Sequence, residues 1–452
     1  MEISADAETL LRGVVLTRHL TKFGFQPTII NRCRNVKTMS NKPTATIIGA
    51  GIVGISTAIY LQSYGYRVRI IDPNGAGNET SFGNAGGITL GTVLPVALPG
   101  VLLDTIKMQF DPYSPLRIKP SYLPKILPWS LQLIANSRMS KVKALSDALA
   151  SISSASKSSW DNFIDQLELD DIIQTRGWLK VYSKQSAIDG TKMEIAAMEK
   201  HGKSFEVLNR SGIKDLEPNI SDAFSFGILQ PDSKSIVNHL ALFKTLVDAF
   251  SAAGGKLIID KVLGLSKEND EYLMRTADNT YRDTTLVIAA GAWSEKLSRQ
   301  LGYKFPLDTE RGYHVMLPSV ANGISRPVMN CDNKFVLAPM TDGIRLTGCV
   351  EFAGLNAEPD YRKIRKLIPL AADMLPGLKS EETSCWMGRR PSLPDSIPII
   401  DEAPKHKNLF FGFGHGHLGM TFGPATGKAL ADLITKNEPD FDLSPFSATR
   451  FL

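Results

Sequence analysis

The chain has 452 residues, long enough for two domains with separate cores. Its 51 basic and 46 acidic side chains leave a formal charge of +5, too mild and too dispersed for a protein whose main partner is nucleic acid. Cys33, Cys331, Cys349 and Cys385 stand singly, without C-x-x-C spacing, which argues against a disulfide framework or a zinc site and suits a reducing compartment.

Residues 1–42 carry Arg12, Arg18, Lys22, Arg32, Arg34 and Lys37, but also Glu2, Asp6 and Glu8, where a transit peptide is poor in acid. No apolar h-region marks a secretory signal. Met39, followed by SNKPTATIIGAG, would itself be a natural start. A disordered extension or an over-extended start is therefore expected ahead of a mitochondrial presequence.

Thr44 to Asp72 follows as a strand (Ala45 to Ile48), a Gly-rich turn, a helix (about Val53 to Tyr64) and a second strand (Arg67 to Ile71). Gly49, Gly51 and Gly54 fit G-x-G-x-x-G: a tight turn, close backbone approach to a pyrophosphate, and tight helix–strand packing. Asp72 ends the second strand where a carboxylate can accept ribose hydroxyls. The unit is expected to bind a dinucleotide. The next segment, PNGAGNETSFGNAGGITLGTVLPVALPG, reads as a loop whose Thr80, Ser81, Asn84, Gly86 and Gly87 can pass close to a flat ligand.

Val101 to Ile134 mixes apolar residues, prolines and basic residues. It reads as an ordinary helical insertion or, more sharply, as a surface lying against a membrane. No stretch supplies the roughly 20 continuous apolar residues of a membrane span. Ser146 to Leu169 reads as an amphipathic helix and Gly177 to Tyr182 as a strand. Ser235 to Phe250 reads as a helix leading to the strand Lys256 to Asp260. Thr285 to Trp293 is a buried-type strand entering a glycine turn, which in a doubly wound sheet closes over the nucleotide from its other half. Leu307 to Leu317 and Arg345 to Phe352 alternate as strands of a second sheet. Cys385 to Ile434 returns to the nucleotide domain, its last glycine loop running into a helix.

IIGAGIVGISTAIYL with Asp72, ETSFGNAGGI, IAAGAWS, ERGYHV, WMGRRPSLPDSIPIID and GFGHGHLGMTFGPATG stand in the order found in the D-amino-acid oxidase and glycine oxidase superfamily. Over about residues 44 to 436 the chain most resembles that superfamily's bacterial D-amino-acid dehydrogenase branch. The resemblance implies an α/β fold: a discontinuous Rossmann-like FAD-binding domain with an inserted mixed-sheet α+β substrate domain. The expected boundaries are an extension (1–42), FAD-binding parts at 43–100, 232–300 and 383–437, substrate-domain parts at 101–231 and 301–382, and a C-terminal tail (438–452).

It further implies FAD-dependent oxidation of the C–N bond of D-alanine-like amino acids, D-proline or hydroxyproline. The alternatives are a secondary-amine, opine or glycine-type oxidase, alone or as a subunit of a larger complex, and a flavin-carrying subunit without its own turnover. In W-x-G-x-R-P the resemblance points to Arg390, ahead of Arg389, as the bidentate partner of the substrate carboxylate. Tyr313 is expected near substrate. It and His314 take opposite faces of their strand, so at most one faces the flavin. His417 replaces an Arg common in glycine-oxidase-like members and is the third expected substrate contact. No general base is named, because the cofactor carries the hard step.

Expected FAD contacts are Gly49, Gly51, Ile52, Val53, Gly54 and Asp72 toward the adenosine end, and Thr80, Ser81, Asn84, Gly86 and Gly87 in the loop. Val262, Ala290 and Gly291 come from the middle of the chain, and His415, Gly416, Gly419, Met420 and Thr421 from the last loop, where a helix N-terminus stabilises charge on the reduced flavin. His415 reads equally as a packing residue. Relatives with covalent flavin carry a cysteine at the place of Gly388, so FAD is expected to be noncovalent, and no metal is expected. The partners expected are a small amino-acid substrate and an acceptor (quinone, oxygen or a partner flavoprotein), with the oligomeric state open. The expected location is the cytoplasm, including the inner face of the plasma membrane, ahead of mitochondria.

Overall fold

A computed structural model describes residues 42–101, 114, 116–321 and 323–452. The N-terminal extension through residue 41, and residues 102–113 of the proline-rich segment, lie outside them.

The opening βαβ unit forms as its sequence dictates. Thr44–Ile48 pairs in parallel with Arg67–Asp72, and the helix Ile52–Ser63 crosses between them. With Lys256–Ile259, Leu286–Ile288, Leu409–Phe413 and Ile399–Glu402 they make a six-stranded sheet, parallel except for its last strand. Alternate residues separate two cores: Ile47, Ile70, Val287 and Phe410 pack toward the helices, whereas Ile48, Ile71, Ile288 and Phe411 pack the other way. The helical side carries Ile52–Ser63, His239–Ala252 and Gly419–Thr435, joined by the long helix Met139–Leu167. Where a doubly wound sheet would carry helices, the opposite face carries a three-stranded antiparallel sheet, Gly264–Glu268, Glu271–Arg275 and Thr280–Asp283.

The second sheet is mixed and has nine strands among the described residues, with Ser384–Ser392 at one end, then Asp308–Leu317, Gly343–Phe352 and Phe335–Met340, continuing through Val328–Asn330 and Trp178–Tyr182. Ser384–Ser392, expected in the nucleotide domain, thus belongs here, paired along Asp308–Leu317. Between Gly312 and Tyr313 the register against Gly343–Phe352 shifts by one, leaving Cys349 as an extra residue at φ 61°.

Smaller differences concern boundaries. Lys234–Ile236 is a strand, and the predicted helix begins only at His239, where the Asn238 side chain accepts from Ala241 N–H. The last residues are not a loose tail: Phe446 is fully buried, and Arg450 donates to Asp395 at 2.7 Å.

Candidate active site

One cavity of about 1060 Å³ runs between the two sheets. At its nucleotide end, the first turn of the helix Ile52–Ser63 borders the cavity through Gly51, Ile52 and Val53, with the Ser81 hydroxyl of the loop accepting Ile52 N–H at 3.3 Å. The positive end of the helix dipole therefore faces the space where phosphates would lie. Gly49 sits at φ 107°, and a Cβ on Gly54 would stand 1.9 Å from Gly49 O, so the turn tolerates no side chain there. The Asp72 carboxylate accepts Ala50 N–H at 2.8 Å and Asn74 N–H at 2.9 Å. Burial raises its pKa while these N–H groups pull it down. Its carboxylate also borders the cavity, with acceptor capacity left for ribose.

The loop after Asp72 forms one wall. Thr80 donates to Arg389 O at 2.7 Å, and Arg345 donates to the carbonyls of Phe82 and Asn84 at 3.2 and 2.6 Å. Asn84 Oδ1 is buried without a partner in this wall, and Gly291, at φ 52°, has open space where a side chain would stand. An orphaned acceptor, a helix N-terminus at the cavity and the open space at Gly291 fit a dinucleotide cofactor.

At the other end the second sheet supplies the chemistry. Glu310, Gly312, Gly388 and Arg390 face the cavity from two neighbouring strands, in the register Glu310 with Arg390 and Gly312 with Gly388. The Arg390 guanidinium lies across Gly312: a Cβ there would stand 2.4 Å from its Cζ. Burial disfavours that charge, and the Glu310 carboxylate partly offsets the cost. Glu310 is itself raised by burial, against its hydrogen bond to Ser392 and the nearby Arg390. Arg389 points elsewhere, donating to Leu355 O at 2.8 Å. His417 exposes its ring to the cavity; burial, then Arg390 and Lys180, push its pKa down to about 4, so it is neutral at pH 7.

Of the predicted residues, Gly49, Gly51, Ile52, Val53, Asp72, Thr80, Ser81, Asn84, Gly87, Val262, Ala290, Gly291, His415, Gly416, His417, Gly419, Met420 and Arg390 border the cavity. Gly54 and Gly86 stand behind it. Thr421 does too, its hydroxyl accepting Thr89 N–H. The placement of Tyr313 is corrected: it lies on the far face of the sheet, 3% exposed, donating to Glu351 at 2.5 Å and accepting Asp360 N–H. Arg311, fully buried, donates to the same carboxylate at 2.9 Å. His314 takes the near face but is covered by Trp386, its ring stacked at 5.2 Å. His415 pairs with Thr426 at 2.9 Å while bordering the cavity, so both of its readings hold geometrically. Sequence reasoning missed Lys180, Lys334, Trp178, Met329 and Thr347, which also border the cavity. Only the alternation of Trp178 and Lys180 along their strand hinted at a shared face.

A Gly-rich βαβ unit joined to a mixed sheet that aims a guanidinium along the same cavity defines a dinucleotide-dependent oxidoreductase. Residues 44–433 match the DAO family model, FAD dependent oxidoreductase. The chain is 32% identical to a D-amino-acid oxidase of Bradyrhizobium diazoefficiens over 414 residues, 90% of this chain and 98% of that one. It is 28% identical to a D-amino acid dehydrogenase of Vibrio atlanticus, covering 90% and 99%. Its fold is similar to that of glycine oxidase from Geobacillus kaustophilus, at a TM-score of 0.70 and 21% identity over 90% of this chain and 98% of that one. The chain belongs to the DAO family of FAD-dependent oxidoreductases.

Proposed function

We propose that the protein oxidises the C–N bond of D-amino acids or related imino acids, with D-alanine-like compounds, D-proline and hydroxyproline as candidates. The observation that carries this is Arg390, whose guanidinium lies across Gly312 and borders the cavity. Its planar fork would hold the substrate carboxylate by two parallel hydrogen bonds. FAD, when bound, supplies the acceptor for the hydride that leaves the α-carbon. As that hydride leaves, the amine lone pair becomes the C=N bond. Water then adds to the imine carbon and expels ammonia, leaving a 2-oxo acid; a ring amine stays as a cyclic imine. Neutral His417 places no positive charge against the amine, which must be uncharged to react.

Noncovalent FAD is part of the proposal. Cys349 is the cavity cysteine among the described residues, and burial raises its thiol to about 11, so it is a poor nucleophile. A yellow pellet after acid precipitation would contradict this. The acceptor is oxygen, a quinone or a partner flavoprotein. A membrane quinone is supported by Leu123, Leu127 and Leu131, exposed along one side of the helix Leu123–Asn136. Sedimentation with anionic vesicles tests that contact; protein left wholly in the supernatant would refute it. No helix among the described residues is long and apolar enough to cross a membrane.

Arg390→Leu tests the central assignment. The flavin-loaded variant is expected to need at least about a hundredfold more substrate for half-reduction, the loss of roughly 3 kcal/mol of charge-assisted bonding. Unchanged half-saturation would refute the role.

A further inference from the structure

The substrate end of the cavity holds more positive charge than one carboxylate requires. On the strand Trp178–Tyr182, Leu179 and Val181 enter the core behind the sheet, which turns Trp178 and Lys180 to the cavity. Two strands further along the sheet, Lys334 immediately precedes Phe335–Met340 and also borders the cavity, in a left-handed conformation (φ 55°) that is uncommon for a side chain of its size. Cys331 lies where both ammonium groups act on it: burial pushes its thiol up and the two lysines pull the other way. Lys180 and Arg390 both act on His417, so the two cations serve one space.

The acidic residues offset only part of this charge and leave Lys334 unmatched among the described residues. Asp72 and Glu79 border the nucleotide end of the cavity, and Glu310 bonds to Ser392 beside Arg390. Lys180 forms an ion pair with Glu194 of the helix Lys192–Lys200. An ammonium has three donors, so this leaves it others for the cavity. Lys334 has no carboxylate within ion-pairing distance among the described residues.

We propose that the preferred substrate is a dicarboxylic amino or imino acid, whose α-carboxylate binds Arg390 and whose side-chain carboxylate binds Lys334 and Lys180. This deepens the proposed amine oxidation and rests on it for the reaction, though not for the binding of the second anion.

Two measurements on the full-length FAD-loaded protein separate the claims. In the first, flavin absorbance is titrated with unreactive acids: succinate and glutarate against butyrate and valerate. The dicarboxylates are expected to bind at least about tenfold tighter. Lys334→Met and Lys180→Met should each reduce that ratio, with the flavin spectrum retained. In the second, anaerobic reduction by D-aspartate and D-glutamate is compared with that by D-alanine and D-2-aminobutyrate. The acidic substrates should half-saturate at least about tenfold lower, and Lys334→Met should raise that value more for them than for D-alanine.

If D-alanine reduces the flavin while the dicarboxylic compounds bind no better than neutral ones, the second anion site is wrong and amine oxidation stands. If succinate binds more tightly than butyrate through Lys334 yet no amine reduces the flavin, the anion site stands and the amine-oxidation reading fails.

Discussion

Arg390 and Tyr313 reached the candidate site by different routes, and only one of them borders the cavity. Arg390 sits inside W-x-G-x-R-P, where the spacing puts Trp386, Gly388 and Arg390 on one face of a strand, so a motif and a period agree. For Tyr313 the period says only that it and His314 part company. Which of them turns inward depends on the core behind the sheet, and there Glu351 accepts from the phenol while Asp360 N–H donates to it. Burial and the Glu351 carboxylate push the Tyr313 hydroxyl up, so it stays protonated as a donor. Tyr313→Phe should therefore cost about 1–3 kcal/mol of stability by leaving buried bonds unmade, with half-saturation by substrate within about threefold. A stable variant with lost turnover would return Tyr313 to the active site. Lys180 and Lys334 were silent in sequence because isolated lysines on strands most often face solvent.

At the scale of elements, the βαβ unit was legible through its glycine spacing, and the long helix and the strands Asp308–Leu317 and Gly343–Phe352 through their periodicity. The misplacement of Ser384–Ser392 has a physical reason: its neighbours in sequence are nucleotide-domain strands, but its hydrogen bonds run to Asp308–Leu317. The three-stranded sheet covering the far side was missed, since its strands are short and partly polar. The junction of Ser384–Ser392 and Asp308–Leu317, next to the bulge at Cys349, aims Arg390. Gly312→Ala should push the guanidinium aside, because the new methyl group would occupy its place. Half-saturation should rise at least about tenfold with FAD still bound, and an unchanged value would show that the guanidinium does not need this geometry.

On the scale of the whole molecule, the two sheets enclose three buried histidines, His239, His314 and His415. Burial lowers His314 and His415 to about 3 and His239 well below its ordinary value. In the unfolded chain each takes a proton near 6.5, before the folded chain does. Their contribution is therefore fully present above pH 6.5 and is lost as pH falls toward 3. The slope should approach about 1.4 kcal/mol per pH unit for each histidine, so Tm should fall steadily from pH 7 to 5. A flat profile would mean that these imidazoles are not held neutral. The direct measurement of function is anaerobic mixing of the purified flavoprotein with D-alanine, D-proline, D-aspartate and sarcosine. Bleaching of the flavin by a D-amino acid, with one 2-oxo acid or cyclic imine formed per flavin, is expected. A flavin that keeps its colour with all four would contradict catalysis and leave a flavin-carrying subunit, whereas bleaching by sarcosine alone would move the substrate to secondary amines.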